Sequence, residues 1–146
     1  MLFKYKFATE IKRPISQDGY AKEIKIVKNY IDEKKGIIVL NNNNELAFKG
    51  TYSNWRPNIF SGVESGKFTI TTEKGRLKLI YQIEIDPALV YLTIIGIALS
   101  CSFYRVWFIG MPFIGLGGIN LLIALVRHNA MLYSIEFEID QLDKQK

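Results

Sequence analysis

The sequence has little of the chemistry that most enzymes use. Its 146 residues include one cysteine, Cys101, and one histidine, His128. One cysteine excludes a disulfide framework within the chain, and a lone imidazole cannot by itself supply a metal cluster or a catalytic triad. The sequence also has no glycine-rich phosphate loop followed by a lysine. We therefore expect no enzymatic activity, no metal ion and no cofactor.

Charge is scarce in one continuous part of the chain. Residues 87–126 contain a single charged side chain, Arg105, although the whole chain has 19 basic and 14 acidic residues. A membrane-spanning helix needs ~20 mainly apolar residues. The block therefore predicts a two-helix transmembrane hairpin, with one span over 87–104 and a second over 107–126. A buried hairpin in a soluble protein is the alternative, but neither half has a polar stripe, and the rest of this short chain could not enclose both halves.

The ends of the predicted hairpin carry residues that are typical of a membrane interface. Tyr104 and Trp107 flank Arg105 at the turn, and Arg127 and His128 follow the second span. Aromatic rings favour headgroup depth, and an arginine at the middle of the bilayer costs ~2.5–3.5 kcal/mol on the insertion scale. We therefore predict that these five residues lie at the membrane interface.

Basic residues near the block predict its orientation. Lys74, Arg76 and Lys78 precede the block and Arg127 follows it, whereas Arg105 alone lies at the turn. An excess of lysine and arginine marks the cytoplasmic side, and the N-terminus does not resemble a secretory signal. The sequence predicts a cell (inner) membrane location with two spans and both termini in the cytoplasm.

Small residues in the apolar block indicate close helix packing. The second predicted span is rich in glycine, with Gly96 and Ser100 as counterparts on the first. Asn120 is expected to hydrogen-bond across to Ser100 or Thr93. The same small residues leave room for homo-oligomerisation through the membrane helices.

Residues 1–86 predict a soluble α+β module, a small antiparallel sheet with one packed helix. Phe3, Tyr5 and Phe7 alternate with lysines, which is the period of a half-buried strand that ends near Ile11. A helix follows, with Ser16 as its N-cap and a stop at Gly36. Its apolar face is formed by Tyr20, Ile24, Val27 and Ile31.

Four further strands are predicted after the helix, over 37–40, 45–52, 67–72 and 76–85. The last strand alternates between apolar and polar residues except at Ile80, so one sheet face packs on a core and the other meets water. The tail, 127–146, fits either a strand or an amphipathic helix that continues from the second span. We favour the helix, whose apolar stripe would dock back on the sheet.

A resemblance follows from this layout and from the segment FKGTYSNWRPNIFSGVESGKFTI. The chain resembles a set of small uncharacterised bacterial membrane proteins, in which a β-α-β-sheet module is combined with two spanning helices. The residues that carry the resemblance are Phe48, Gly50, Arg56, Pro57, Phe60 and Gly66. The resemblance implies topology and no particular activity.

The segment from Trp55 to Phe60 is the best candidate for a recognition surface. The predicted partner-binding residues are Trp55, Arg56, Pro57 and Phe60. Tryptophan, arginine and an exposed phenylalanine are the residue types that anchor interfaces, although Trp55 and Phe60 could equally close the end of the sheet's core.

Two functions follow from these patterns. The first is a membrane-anchored cytoplasmic module that recognises a protein or peptide partner through this segment or a sheet edge. The alternative is a carrier or sensor of a lipid or small apolar ligand, held in a cavity between helix and sheet. The lining of such a cavity would be Phe7, Ile24, Val27, Leu79 and Tyr81. Membrane lipid is a partner in both hypotheses. Nucleic acid is not, because the basic residues are mixed with acidic ones and anionic headgroups explain the positive charge as well.

Overall fold

A computed structural model describes residues 3–12, 20–49, 63–102 and 108–142. These residues form an α+β fold, a five-stranded antiparallel sheet with three helices. The strands are β1 (Phe3–Ile11), β2 (Ile37–Asn41), β3 (Glu45–Lys49), β4 (Val63–Glu73) and β5 (Arg76–Ile85). The helices are α1 (Ala21–Glu33), α2 (Pro87–Ser102) and α3 (Met111–Gln141), the last with a π-helical stretch at Gly115–Ile119.

The strand order is β1-β5-β4-β3-β2, so the first strand pairs with the last and β1 and β2 are the two edges. β4 and β5 are joined by a two-residue turn in which Lys74 has φ 51° and Gly75 has φ 77°. Two successive positive φ values define a type I′ turn, which matches the twist of the strands that it connects. β4 begins at Val63, four residues before the predicted strand.

The core lies on one face of the sheet. The inward residues of β5 are fully buried, as the alternation predicts: Leu77, Leu79, Tyr81, Ile83 and Ile85. The Tyr81 ring stacks on Phe68 of β4 at 4.1 Å between centroids, and Phe48 of β3 lies over Gly66, directly opposite in the register. A Cβ at position 66 would overlap the Phe48 ring, so glycine is required there.

Two helices, rather than the single helix predicted for the module, cover this face. α1 contributes Ile24, Ile26, Val27 and Ile31, as the apolar spacing indicates. The second half of α3 contributes Met131, Leu132, Ile135 and Ile139. The tail is therefore helical and docks on the sheet, which confirms the favoured one of its two interpretations.

α1 ends one residue earlier than the sequence predicts. Lys35 adopts the left-handed conformation at φ 61°, and the Gly36 N–H donates to the Ile31 carbonyl at 2.9 Å. The left-handed position that usually selects glycine is therefore occupied by lysine, and Gly36 takes the next position of the motif. The predicted N-cap, Ser16, lies outside the described residues.

α2 begins at Pro87, where the first predicted span begins. The Asp86 carboxylate accepts a hydrogen bond from the Ala88 N–H at 2.9 Å, and Pro87 occupies the first helical position, where its missing N–H is not needed. Asp86 is thus an N-cap.

One described helix, α3, is long and apolar enough to cross a membrane, with 31 residues and 17% of its most apolar window buried. α2 is apolar but has 16 residues, which is about 24 Å of helix against a hydrocarbon core of about 30 Å. The predicted pair of spans thus corresponds to one helix of sufficient length and one shorter apolar helix. The predicted division at Val126 is not a break, because α3 runs through it without interruption.

Candidate functional site

α2 and the first half of α3 pack against each other as an antiparallel hairpin. A Cβ at Gly117 would lie 2.6 Å from the Thr93 hydroxyl and 2.7 Å from the Leu89 carbonyl oxygen, both on α2. A Cβ at Gly110 would collide with the Ser100 hydroxyl and the Gly96 carbonyl. Gly96 and Ser100, the predicted counterparts, therefore meet one glycine of the second predicted span, Gly110, whereas Gly117 meets Thr93 and Leu89.

The prediction for Asn120 is wrong. Its side-chain amide donates to the Leu116 carbonyl of its own helix at 2.7 Å, and the side chain is exposed. Thr93 likewise donates to the Leu89 carbonyl in its own helix at 2.8 Å. Each polar group is satisfied by the preceding helical turn, so neither bridges the two helices.

The outer surface of the hairpin is almost entirely apolar. Its exposed large side chains are Tyr91, Ile94, Ile95, Ile97, Phe108, Ile109, Met111, Leu116, Ile119, Leu122, Ile123 and Val126. Soluble monomers rarely expose a continuous apolar patch larger than a few hundred Å². The hairpin therefore requires an apolar environment that the described part of the chain does not supply.

His128 does not lie at the membrane interface as predicted. Its ring is fully buried between α3 and the sheet, and Nδ1 lies 2.7 Å from the Tyr81 hydroxyl. The helical phase explains the difference, because His128 shares the buried face of α3 with Ala124 and Leu132. Burial raises the pKa of Tyr81 well above its usual value, so the phenol stays protonated.

The remaining predicted interface residues divide into two groups. Arg127 is exposed, immediately after the apolar half of α3. Tyr104, Arg105 and Trp107 lie outside the described residues. An aromatic pair that the sequence analysis missed lies at the start of α2, where Tyr91 contacts Phe3 edge to face with centroids 6.3 Å apart.

The predicted partner-binding residues Trp55, Arg56, Pro57 and Phe60 also lie outside the described residues. β3 ends at Lys49 and β4 begins at Val63. Both residues lie at the same end of the strands, because Lys49 pairs with Ser65 and Val63 pairs with Ile85. β5 also ends there and is followed by α2.

The two edge strands differ in their protection. β1 carries Lys4, Lys6 and Glu10 on its outer face, and α3 packs along it, with the Glu136 carboxylate accepting a hydrogen bond from Thr9 at 2.5 Å. β2 carries no charge and exposes three large aliphatic side chains, Ile37, Val39 and Leu40. Within the described segments β2 pairs with β3 alone.

β2 also contains an irregularity in its pairing. Ile38 pairs with Phe48 and Leu40 with Ala47, so the register shifts and Val39 has no opposite residue on β3. Val39 is 55% exposed. Charges, bulges or a covering helix are the usual means by which a protein protects a sheet edge. β2 has only the bulge.

The outer face of the sheet is a solvated network of ion pairs. The Lys4 ammonium lies 3.0 Å from the Glu84 carboxylate, and Lys67 lies 2.8 Å from Glu45. The Ser65 hydroxyl donates to Glu84 at 2.5 Å, and this bond together with Lys4 lowers the pKa of Glu84. A carboxylate held ionised in this way is a structural anion.

The carboxylates that are close in sequence do not act as pairs. Asp86 caps α2 while Glu84 belongs to the ion-pair network, and Glu136 bonds to Thr9 while Glu138 is exposed. Glu136 and Glu138 are two residues apart on a helix and therefore point in different directions, whereas on a strand they would share one face. We therefore identify no acid–base pair among them.

The described lysines also lie on different layers. Lys4 and Lys6 are on the outer face of the sheet, whereas Lys22, Lys25 and Lys28 are on α1, which covers the opposite face. They do not combine into one positive surface of the kind that tracks a nucleic-acid backbone.

Within the described ranges, no group of three or more histidine, cysteine, aspartate or glutamate residues is placed to hold a metal ion. No family model, curated protein or solved structure matches the chain. The arrangement that remains among the described residues is an apolar hairpin joined to a sheet whose β2 edge is uncharged and exposes aliphatic side chains.

Proposed function

We propose that this chain is a membrane-anchored cytoplasmic module that binds an extended segment of a protein partner along β2. The hairpin of α2 and α3 holds the module at the bilayer. The role is binding, without an enzymatic step. The single observation that carries the binding role is the uncharged β2 edge with Ile37, Val39 and Leu40 exposed.

The anchorage is supported by the exposed apolar surface of the hairpin. A helix in the core of a soluble protein is mostly buried, whereas 17% of the most apolar window of α3 is buried. The second half of α3 packs beside β1, so the segments before and after the hairpin lie on the same side of it. That side carries nearly all the charge, in agreement with the positive-inside rule.

The binding mode is supported by the chemistry of a sheet edge. An edge strand presents unpaired backbone N–H and C=O groups, to which an extended peptide can add as a further strand. Alternate side chains of β2 would give specificity through apolar contacts. Because β1 is charged and lies beside α3, β2 is the edge that a peptide can approach.

The alternative of a lipid or small-ligand carrier has less support. Four of its predicted lining residues, Ile24, Val27, Leu79 and Tyr81, are buried together with side chains of α3 in one continuous core. Met131, Leu132 and Ile135 of α3 occupy the space between helix and sheet where a ligand would lie.

Anchorage is tested by alkaline carbonate extraction of membranes from cells that produce the full chain. We expect the protein to stay in the membrane pellet and to need detergent for release. Release of folded, monodisperse protein into the carbonate supernatant would contradict the anchorage.

Partner binding is tested by co-purification from detergent-solubilised membranes. Val39→Lys places a charge on the edge, and we expect it to abolish recovery of the partner that the wild type retains. Asn29→Lys, an exposed position on α1, adds the same charge elsewhere and is expected to retain it. Both variants must keep the wild-type circular dichroism spectrum and melting temperature.

Two results would change which residues are assigned to partner binding. Equal recovery of the partner with Val39→Lys and wild type would contradict binding at β2. If a Trp55→Ala/Arg56→Ala variant then lost the partner, the recognition surface would be the segment predicted from the sequence, and β2 would have no role in it.

A further inference from the structure

A second surface, which no described element of the chain covers, runs along α3. Its members are exposed, mainly apolar and spaced by alternating steps of three and four residues, which is the heptad spacing of helices that pair with one another. We call this surface the α3 stripe: Ile119, Ile123, Val126, Ala130, Tyr133 and Phe137.

The α3 stripe lies opposite the buried face of the helix. At 100° per residue, Ala130 and Phe137 are roughly 140–180° away from His128 and Ile135, which face the core. α2 contacts the same side of α3 as the sheet does, through Gly117. The stripe therefore faces away from both neighbours of α3 in the chain.

Lipid accounts for only the first half of the stripe. Arg127 is the first charged residue after the apolar half, and Phe137 follows it by ten residues, about 15 Å along the helix axis. The headgroup region adds about 5–8 Å on each side of the hydrocarbon core. Tyr133 and Phe137 are nevertheless 57% and 67% exposed. These two rings need a partner that is not lipid.

We propose that two copies of this chain pair in parallel along the α3 stripe, from the hydrocarbon region into the cytoplasm. The parallel arrangement rests on the proposed membrane anchorage, because two copies inserted with the same orientation must be related by an axis along the membrane normal. Pairing on this surface leaves β2 of each copy open for its own partner.

A second copy is the occupant that matches the stripe at every depth. A partner helix must be aliphatic beside Ile123 and Val126 and aromatic beyond the headgroups, and a parallel α3 meets this requirement by symmetry. Ala130, near the middle, lets two helix backbones approach closely.

The residues that flank the stripe fit a parallel pair. With the stripe at the a and d positions of a heptad, Asn129 is at a g position and Ser134 is at an e position. These positions meet across a parallel pair, so Asn129 of one copy lies beside Ser134 of the other and two small polar groups meet. Arg127 faces Leu122 of the other copy, so no like charges oppose each other. Glu136, the next acidic residue on a flank, is already bonded to Thr9 within its own chain.

Disulfide cross-linking in membranes tests the proposal. In a Cys101→Ser background, Phe137→Cys is expected to form a covalent dimer under mild oxidation, because position 137 meets itself in a parallel pair. Glu138→Cys is the matched control, exposed on the same turn but off the stripe. We expect it to give less than a tenth of that dimer at the same protein-to-lipid ratio.

Four results would overturn the proposal. Equal dimer yield at 137 and 138 would mean random collision, and no dimer at either position would mean that the pair does not form. Cross-linking of Phe137→Cys to a different protein would assign the stripe to another partner. A mixture of Ile123→Cys and Phe137→Cys chains that cross-links to each other, with no 137–137 product, would indicate antiparallel pairing.

The antiparallel result distinguishes a failure of the membrane anchorage from a failure of the parallel pairing alone. It is incompatible with two copies in one membrane, so it would contradict the anchorage as well, and carbonate extraction would then release the protein. Failure of the pair with retention in the carbonate pellet would contradict only the pairing.

Discussion

The buried contact between Tyr81 and His128 gives the most quantitative prediction. The two atoms, Tyr81 Oη and His128 Nδ1, are 2.7 Å apart in a fully buried environment. Tyr81→Phe removes the hydroxyl and leaves the ring, so the change is confined to this bond. Loss of one partner of a buried hydrogen bond costs about 1–3 kcal/mol, because the other partner remains desolvated. We expect Tyr81→Phe to destabilise the fold by that amount.

A double-mutant cycle isolates the pair energy. His128→Leu should cost about the same, since it leaves the phenol buried, whereas the Tyr81→Phe/His128→Leu double variant removes both polar groups. The double variant should therefore lose less unfolding free energy than the two single variants lose together, by about 1–2 kcal/mol. Additive effects would refute the reasoning, because they would mean that the two groups do not interact.

The assay is thermal melting in detergent, followed by far-ultraviolet circular dichroism. For a chain of this length each kcal/mol corresponds to about 2–4 °C, so Tyr81→Phe should lower the melting temperature by about 2–12 °C. Tyr5→Phe is the matched control, because Tyr5 lies on the neighbouring strand and is partly exposed. It should lower the melting temperature by less than about 2 °C.

Three further predictions follow from other parts of the structure. Gly117→Ala should destabilise the hairpin by about 1–3 kcal/mol through overpacking against α2, whereas Gly115→Ala, which meets open space, should be neutral or stabilising by up to about 1 kcal/mol in the same melting assay. Lys35→Gly should stabilise the fold by roughly 0.5–1 kcal/mol because it relieves a left-handed lysine, and a lower melting temperature would contradict the assigned conformation. Glu84→Gln should destabilise by at most about 1 kcal/mol at neutral pH. Because the pKa of Glu84 is lowered in the folded state, this difference should be lost as the pH falls below the pKa of an ordinary carboxyl and then through the lowered pKa of Glu84, in melting curves recorded over that pH range.

The sheet and α1 could be predicted because their signals are local. The alternation in β5, broken only at Ile80, places Leu79 and Tyr81 on one face whatever they pack against, and the apolar spacing of α1 does the same for Ile24 and Val27. Strand order could not be read in this way, since the pairing of β1 with β5 joins segments that are more than 60 residues apart.

The errors arose where a side chain has more than one candidate partner. Asn120 and Thr93 have backbone acceptors one helical turn away, which compete with any contact across the hairpin. His128 was assigned by its distance from the apolar block, but its depth in the core depends on the rotation of α3 about its axis. That rotation is determined by the packing of Ile135 and Ile139 on the sheet, and the sequence around His128 does not contain this information.

The sequence predicts a sheet edge as a possible binding surface but does not identify β2 as that edge. Ile37 to Leu40 is an apolar run, and a run without alternation predicts a strand that is buried on both faces. At the end of a sheet the same composition leaves side chains exposed, because no further strand or helix covers them. Only the strand order distinguishes the two situations, and it places β2 last.

α3 contains both His128, whose position the sequence did not predict, and the surface through which two copies are proposed to pair. Over its 31 residues one face contacts α2 and then the sheet, and that face is apolar except for His128. The opposite face is apolar in its first half, which the proposed membrane anchorage explains, and stays apolar through Tyr133 and Phe137, which the anchorage does not explain. A helix that was only a membrane anchor followed by a docked tail would carry polar residues at those two exposed positions. Their aromatic character therefore supports the proposed pairing of two copies, and the cross-linking yield at position 137 relative to position 138 tests that pairing directly.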